Sequence, residues 1–506
     1  MSRHYLRATI LTASLGLAAT LPAHAAAAAA TPASLAATPA RPSINLTIAE
    51  AVDIAIKKGF AVKLQDITLL NSRETYNSAK LEYKPTMSVS ASSTGSQSVS
   101  GTTAQRNDHN DGQSVSASVS QKIPTGATVS LTSTFLSRTN TANTSTPSYG
   151  RALTLAVSQP LLKGAGTKFN LTALRNSKIA LDQSFLTYKT SLINTVQAVE
   201  NAYTTLKTAR DQFDIARQTL ALAKTTYDEQ VTRRDAGLIT DIALLQNENT
   251  YIGSQNTLTT RELALRTAED NLRMLLGGQD FDIGIIPTDD LSTEQLETKT
   301  AESSYRLVLE NGADYKNRKF AVETAESGVY TAKNALKPTV NLTGSVSTSD
   351  SGVDTWGSTY RHISESNNYG WNVGVAVSVP LGERNDRISY RRALNNLESA
   401  KISLQQYEQQ TLVDVRAAVN NITTAQRSLE LSTRQVTLAE RTYEADKQRF
   451  DVGSITPRTL SQSLNDLDTQ RLALVQAKLN LRTAVYNLRR LEQTTIERYN
   501  IKLPAE

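Results

Sequence analysis

The sequence predicts a membrane β-barrel joined to very long α-helices, built from two internal repeats. One observation is a ladder of leucines at seven-residue spacing after Pro457: Leu460, Leu467, Leu474, Leu481 and Leu488. A second ladder lies 216 positions earlier, at Leu244, Tyr251, Leu258, Leu265 and Leu272. Seven-residue spacing is typical of a coiled-coil seam, and matched positions at one offset indicate an internal duplication. Two independent coiled coils would explain the ladders, but not the alternating segments that precede each long helix.

The N-terminal residues have the pattern of an export signal followed by a linker. Arg3 and Arg7 precede an apolar run, and Ala23-His24-Ala25 has the small residues of a cleavage site. Residues 1–25 are therefore predicted to be a signal peptide. A membrane anchor is the alternative, but the apolar run is shorter than the ~20 residues that a span needs. Residues 26–42 form an Ala/Pro-rich linker.

Composition excludes several kinds of site. The 506 residues include no cysteine, which excludes disulfides, thiolate metal sites and cysteine nucleophiles. No HExxH, GxSxG or Walker motif occurs, so we predict no enzyme activity, no cofactor and no metal site. The polar segment 107–111 could chelate a divalent ion, although a solvated loop is the commoner structure for such a composition. The formal net charge is +6, but the basic residues are scattered along helices, which does not indicate a nucleic-acid partner.

Four strand-like segments lie within about 86–159. Each alternates apolar residues with Ser, Thr or other small residues, and the first follows a Lys84-Pro85 pair that ends a helix. A short turn at 123–126 joins the middle pair, whereas the connections at 95–112 and 137–149 are long and polar. This alternation predicts an outer-membrane β-barrel. A soluble sandwich is the alternative, but a second face made almost entirely of Ser, Thr and Asn favours a water-filled lumen.

Very long helices follow the strands in both halves of the chain. Residues 170–234 contain neither proline nor glycine, which predicts a helix on the order of 90 to 100 Å long. It turns near Gly237, and a second helix returns. A single helix is predicted from Ser304 to Lys337-Pro338. The same order recurs after it, with two alternating segments, a long helix and a turn near Gly453. The predicted first repeat, irregular acidic connector, second repeat and C-terminal tail span 43–278, 279–302, 303–491 and 492–506. The strands of the second repeat are expected at about 339–379, and the two turns at about 235–241 and 451–457.

This order of elements resembles the TolC-like outer-membrane factor family. The resemblance covers about residues 46–491 and rests on the duplicated architecture and on two tip motifs, Arg234-Asp-Ala-Gly-Leu-Ile-Thr240 and Arg449-Phe-Asp-Val-Gly-Ser-Ile-Thr456. It implies a homotrimer that shares one β-barrel in the lipid of the outer membrane. It also implies that this barrel continues into an α-helical barrel in the periplasm, whose tips dock an adaptor (membrane fusion) protein bound to an inner-membrane transporter. The duct would serve drug or metal efflux, or one-step protein secretion.

The resemblance places the functional residues at the two tips. The expected docking residues are Gly237, Leu238, Ile239, Thr240, Gly453, Ser454, Ile455 and Thr456. The periplasmic gate candidates are Asp235, Asp241, Phe450, Asp451, Thr459 and Gln462. Relatives often have tyrosine, arginine and aspartates near the gate, and these are replaced here, so an acidic cation-sensing ring is not expected. For each tip aspartate, a solvated charge at a helix end is the alternative.

The number of strands departs from that family, whose members usually contribute two strands per repeat. Four segments precede Pro160 and two precede Pro380, which predicts six strands per copy and eighteen in a trimer. The alternative is an extra hairpin that stands above the membrane or folds over the mouth, leaving twelve strands in the barrel. An interfacial aromatic girdle is expected to include Trp356, Tyr360, Tyr369 and Trp371, with ordinary strand packing as the alternative.

The competing function is a structural or adhesive envelope protein with a coiled-coil stalk and no transport role. Such a stalk would need neither glycine-containing turns at the tips nor a hydroxyl-bearing face on the strands. The sequence leaves the cargo open among drugs, metals, polysaccharide precursors and polypeptides.

Overall fold

The structure is a computed structural model that describes most of the chain after the predicted linker. The described residues are 42–100, 106–140, 144–278, 283–289, 300–353, 368–379, 381–382 and 384–503. The predicted signal peptide and all but the last residue of the linker lie outside these ranges. The helices and strands given below belong to one compact unit, Ser43–Glu506.

Two helices and a small strand open the first repeat. β1 (Ser43–Leu46) leads into α1 (Ile48–Lys58) and α2 (Phe60–Leu81). Thr47 caps α1, because its hydroxyl accepts the Glu50 N–H while the Glu50 carboxylate accepts the Thr47 N–H. Helix α2 ends shortly before Pro85, because proline disfavours helical geometry in the residue before it.

The alternating segments form a single sheet. Seven further strands lie among the described residues: β2 (Thr86–Ser100), β3 (Arg106–Lys122), β4 (Thr128–Asn140), β5 (Thr144–Pro160), β6 (Gly284–Pro287), β7 (Thr339–Val353) and β8 (Tyr369–Ser378). All except β6 form one antiparallel sheet in the order β2-β3-β4-β5-β7-β8. Four of its strands come from the first repeat and two from the second, as the alternation predicts. Its edge strands are therefore β2 and β8.

The prediction of two long polar connections in the first repeat is wrong. β2 and β3 pair as far as Ser100 and Arg106, so most of the predicted loop 95–112 is strand, and the polar segment 107–111 lies within β3. The same holds for 137–149, where β4 and β5 continue to pair. Polar composition misled the prediction because a ladder is held by backbone groups, which hydrogen-bond whatever side chains they carry.

The remaining helices are dominated by two very long ones. They are α3 (Thr167–Asn170), α4 (Thr172–Asp235), α5 (Asp241–Leu275), α6 (Ala301–Asn311), α7 (Ala313–Ala335), α8 (Arg384–Asp451), α9 (Pro457–Glu492) and α10 (Thr495–Arg498). With 64 and 68 residues, α4 and α8 are each about 100 Å long at 1.5 Å per residue. The long helices pack in the order α5-α4-α9-α8. Within the described ranges, no helix combines the length and the apolar character that a membrane span requires.

The second repeat and the connector differ from the sequence prediction in two places. A single helix is predicted before Pro338, but the chain breaks at Gly312 into α6 and α7, just as it breaks at Gly59 between α1 and α2. The connector is predicted to be irregular, but it contains β6, which pairs in parallel with β1. Four-residue strands are too short for alternation to reveal them.

The main core lies where α1, α4 and α5 meet beside β1 and β6. Its most enclosed apolar residues include Ala51, Val52, Val199, Leu206, Leu272 and Leu276. The Tyr203 hydroxyl donates to the carbonyl oxygen of Leu46 at 2.8 Å, and burial raises the pKa of Tyr203 to about 12. The predicted C-terminal tail also packs on α4, because the Tyr499 hydroxyl donates to the Glu200 carboxylate at 2.8 Å.

Candidate functional site at the helical tips

The first tip is a tight turn between α4 and α5. The Gly237 N–H donates to the Arg234 carbonyl at 2.8 Å, and the Leu238 N–H donates to the Arg233 carbonyl at 2.9 Å. This pair of bonds is the Schellman arrangement, which satisfies carbonyls left unpaired at a helix end. Gly237 has a φ of +71°, a conformation that residues with a Cβ rarely adopt.

The second tip, between α8 and α9, repeats this geometry. The Gly453 N–H donates to the Phe450 carbonyl at 2.9 Å, and the Ser454 N–H donates to the Arg449 carbonyl at 2.8 Å. Gly453 has a φ of +77°. Both tip glycines therefore adopt a positive φ.

Each returning helix is capped by the threonine of the tip motif. The Thr240 hydroxyl accepts the Ala243 N–H, and the Thr456 hydroxyl accepts the Thr459 N–H, both at 3.4 Å. Pro457 then occupies the first turn of α9, where a missing N–H costs nothing. The Gly-x-Ile-Thr motif therefore ends one helix and starts the next within a few residues.

An apolar stripe is exposed at the first tip. Leu238, Ile242 and Leu245, which we call the tip stripe, are 74%, 70% and 61% exposed. Ile242 and Leu245 lie three residues apart on one face of α5, and Leu238 lies in the turn that precedes this helix. At the second tip Val452 is also largely exposed. The isoleucines of the two tips, Ile239 in the first and Ile455 in the second, are half-buried. Exposed apolar residues that follow one helix face indicate a surface that another helix covers.

The gate candidates fall into two groups. Asp235 and Asp241 both face Arg234, at 3.0 and 4.0 Å, and both are exposed, as are Asp451, Thr459 and Gln462. Phe450 differs from them, because it is buried and the Arg233 guanidinium lies 5.1 Å from its ring centroid. This cation–π contact links the ends of α4 and α8.

The two heptad ladders differ in how deeply they are enclosed within one chain. Leu272, Leu460, Leu467, Leu481 and Leu488 are buried. Leu244, Tyr251, Leu258, Leu265 and Leu474 are half-buried. Tyr251 stacks on Tyr227, with ring centroids 5.6 Å apart and planes at 7°.

Sequence reasoning missed the polar contacts between the long helices. The Thr219 hydroxyl donates to the Asp468 carboxylate at 2.6 Å, the Ser463 hydroxyl donates to Asp446, and Arg471 pairs with Glu440 at 3.0 Å. Burial raises the pKa of Asp468, and the Thr219 hydrogen bond and Arg471 partly oppose this effect. No pattern in the sequence could have paired these residues, because their partners lie on other helices.

The side chains described here do not form a metal centre. Across the described ranges, no group of three or more His, Cys, Asp or Glu side chains is placed to hold a metal ion. At the other end of the molecule, Tyr369 and Trp371 are exposed on β8, as a girdle would require. Trp356 and Tyr360 lie outside the described residues.

Comparisons with known proteins agree with this architecture. The sequence pattern of the family described as outer membrane efflux protein matches residues 68–278 and 304–492. No curated protein matches the chain. Among solved structures, the CmeC outer membrane channel of Campylobacter jejuni is 14% identical with a TM-score of 0.68, and the match covers 90% of each chain.

Two further structures have the same fold. VceC, an outer membrane protein of Vibrio cholerae, is 16% identical with a TM-score of 0.66, covering 88% of this chain and 96% of its own. The open state of the MtrE outer membrane channel of Neisseria gonorrhoeae is 16% identical with a TM-score of 0.61, covering 88% of each chain. The predicted resemblance and fold class are confirmed: a β-barrel joined to a helical barrel, with a two-repeat organisation. The chain belongs to the outer membrane efflux protein family.

Proposed function

We propose that this protein is the outer-membrane exit duct of a tripartite efflux or type I secretion system. Its helical part extends into the periplasm, where the tips dock an adaptor, and substrate passes through it from an inner-membrane transporter. The observation that carries the proposal is the pair of matching tips, in which Gly237 and Gly453 build the same turn at the same end of the helical layer. Membership of an efflux family supports the transport role.

The duct forms when three copies close into a ring. The helical layer of one chain has two open sides, α5 and α8, because the packing order is α5-α4-α9-α8. Both open sides carry exposed apolar residues: Ile252 and Leu263 on α5, with Leu431 and Leu438 on α8. Helices about 100 Å long need neighbours along their length, and a second copy supplies them.

The docking partner presents an apolar helical surface to the tips. The tip stripe of Leu238, Ile242 and Leu245 is too exposed to serve the fold of one chain, and it offers an apolar surface that a partner helix can cover. The residues predicted to dock the adaptor, from Gly237 to Thr240 and from Gly453 to Thr456, form the two turns, and the first of these turns leads directly into α5.

The gate lies at the same end of the molecule. Arg234 holds Asp235 and Asp241 close to each other, so moving the α4 and α5 ends apart would break at least one of these contacts. The exposed candidates of the second repeat are Asp451, Thr459 and Gln462. The buried Phe450 contributes to the gate through its cation–π contact with Arg233.

Valine at each tip glycine tests the docking role. Gly237→Val and Gly453→Val place a β-branched residue at a positive φ, which disrupts the turn while leaving the sheet and the long helices intact. Gly328→Val is the matched control, because Gly328 lies inside α7 and a Cβ there meets nothing within 4 Å. The tip variants should assemble in the outer membrane but lose ethidium efflux and photo-crosslinking from position 454 to a periplasmic adaptor.

Two results would contradict the proposal. Normal efflux and crosslinking by both tip variants would show that the tips do not dock a partner. Assembled wild-type protein that fractionates with the outer membrane but gives no conductance in planar bilayers would favour the stalk function instead.

A further inference from the structure

The sheet has two chemically distinct faces that stay in register across all six strands. One row of paired positions runs Met87, Val119, Leu131, Leu155, Val346 and Trp371, from β2 to β8. Every member is apolar, and each is at least 41% exposed in the single chain. A row of exposed apolar side chains across a whole sheet is the pattern of a surface that faces lipid.

The opposite face is lined by hydroxyl groups. The neighbouring row runs Ser88, Ser118, Thr132, Thr154, Ser347 and Gly370. Hydroxyls on this face bond to each other across strands, with Ser118 and Thr132 at 3.0 Å and Ser116 and Thr134 at 3.1 Å. Among the described side chains, the charged members of this face are Lys122 and Arg138, near its two ends. The middle of the polar face is therefore uncharged.

The extra hairpin, β3 and β4, is an integral part of this sheet. β3 pairs with β2 and β4 pairs with β5, so β2 and β5 are not neighbours and the sheet would be divided without the hairpin. Both faces of the hairpin continue the rows of the flanking strands. A hairpin standing above the membrane would not need an apolar face matched to the lipid-facing row.

The turn of the hairpin also lies at the helical end of the sheet. The Thr125 hydroxyl donates to the Gln159 side chain at 3.0 Å, and the Thr125 carbonyl accepts the Gly166 N–H at 3.0 Å. Gln159 is the penultimate residue of the wall strand β5, and Gly166 precedes α3. These contacts tie the hairpin to the base of the wall.

We propose that all six strands lie in the barrel wall, so that three copies close an eighteen-stranded barrel with a wide, uncharged, hydroxyl-lined lumen. The proposal rests on the trimer of the proposed function, with β8 of one copy pairing with β2 of the next. These are the two edges of the sheet, and an exposed edge is a template for pairing with another copy.

The diameter of the lumen follows from the number of strands in the barrel. With strands about 4.8 Å apart and tilted about 40°, twelve strands give a backbone diameter of about 24 Å and eighteen give about 36 Å. Allowing about 5 Å for side chains on each side, the free lumen widens from about 14 Å to about 26 Å. The short Ser and Thr side chains of the inner face leave this space open.

Paired single cysteines test the placement of the hairpin in intact cells, because the native chain has none. Ser118→Cys and Val119→Cys lie in β3, and Thr154→Cys and Leu155→Cys occupy the same two rows in the wall strand β5. A polar maleimide should label positions 118 and 154, whereas a lipid-soluble maleimide should be needed at positions 119 and 155. Oligomer size and outer-membrane fractionation are measured for each variant.

The outcomes separate this proposal from the proposed function. Suppose that the polar reagent labels positions 118 and 119 equally, while positions 154 and 155 still differ. This result would show that the hairpin lies outside the barrel wall, and it would leave the proposed channel function unaffected. Equal labelling at all four positions would overturn the barrel itself. End-on electron-microscopy averages of the trimer in nanodiscs give a second measurement: a barrel ring about 36 Å across supports eighteen strands, and about 24 Å contradicts them.

Discussion

The Thr219 hydroxyl donates a 2.6 Å hydrogen bond to the Asp468 carboxylate and so joins the long helix of the first repeat to the returning helix of the second. The other carboxylate oxygen, Oδ1, is buried and has no hydrogen-bond partner among the described residues. Burial raises the pKa of Asp468, although the Thr219 hydroxyl and Arg471 partly oppose it. The α4–α9 contact therefore contains a carboxylate that is poorly solvated when ionised.

Stability should depend on pH through Asp468. Because its pKa is higher in the folded state, folding favours the protonated carboxyl, and stability falls as pH rises through that pKa. Asp468→Asn keeps an acceptor for Thr219 but cannot ionise. The variant should melt above wild type at neutral pH, and the difference should shrink towards the ordinary aspartate pKa of about 3.9.

Thermal melting of purified oligomers across this pH range measures the effect. Asp466→Asn is the control, because Asp466 is exposed on the same helix. A constant difference between Asp468→Asn and wild type at every pH would show that Asp468 does not titrate differently on folding.

The heptad ladder of the second repeat should not be uniform in strength. Leu467 is 2% exposed in a single chain, whereas Leu474 is only half-buried. Leu467→Ala should cost about 2 to 5 kcal/mol, the range for a fully enclosed leucine, and Leu474→Ala should cost less unless a neighbouring copy encloses it. Denaturant unfolding gives both values, and an unchanged midpoint for Leu467→Ala would place that side chain outside the seam.

A buried arginine should hold the end of α5 to the connector. Arg273 is 1% exposed, pairs with Asp270 at 2.6 Å and Glu269 at 3.3 Å, and donates to the Ile283 carbonyl. Arg273→Met leaves the buried Glu269 carboxylate without its cation, which should destabilise the protein by about 3 to 5 kcal/mol. Adding Glu269→Gln should recover part of the loss. Denaturant unfolding measures each variant, and strictly additive losses in the double variant would exclude coupling between the two residues.

The tip stripe should matter for docking and not for folding. Leu238→Ser and Ile242→Ser change side chains that are 74% and 70% exposed, so the melting temperature should stay within about 2–4 °C of wild type. Crosslinking to the periplasmic adaptor and ethidium efflux should both fall. Leu64→Ser is the control, because Leu64 is 65% exposed on α2, away from the tips. Efflux lost equally in the control would point to a general defect and not to docking.

The sequence by itself determined the features that depend on local pattern. Seven-residue spacing from Leu460 to Leu488 predicted the returning helix, and Gly453 predicted the tip, because a positive φ is a local property that glycine satisfies most easily. Alternation before Pro160 predicted four strands, since side chains on a strand change face at every residue.

The tertiary structure alone decided which distant groups meet. The ladder between β2 and β3 continued through polar residues to Arg106 because backbone groups, which no sequence pattern distinguishes, hold it together. The pairing of β1 with β6, the contact of Thr219 with Asp468 and the burial of Phe450 under Arg233 each join residues far apart in the chain. Periodicity reports the face on which a residue lies, but only the packing of one helix or strand against another determines what that face meets.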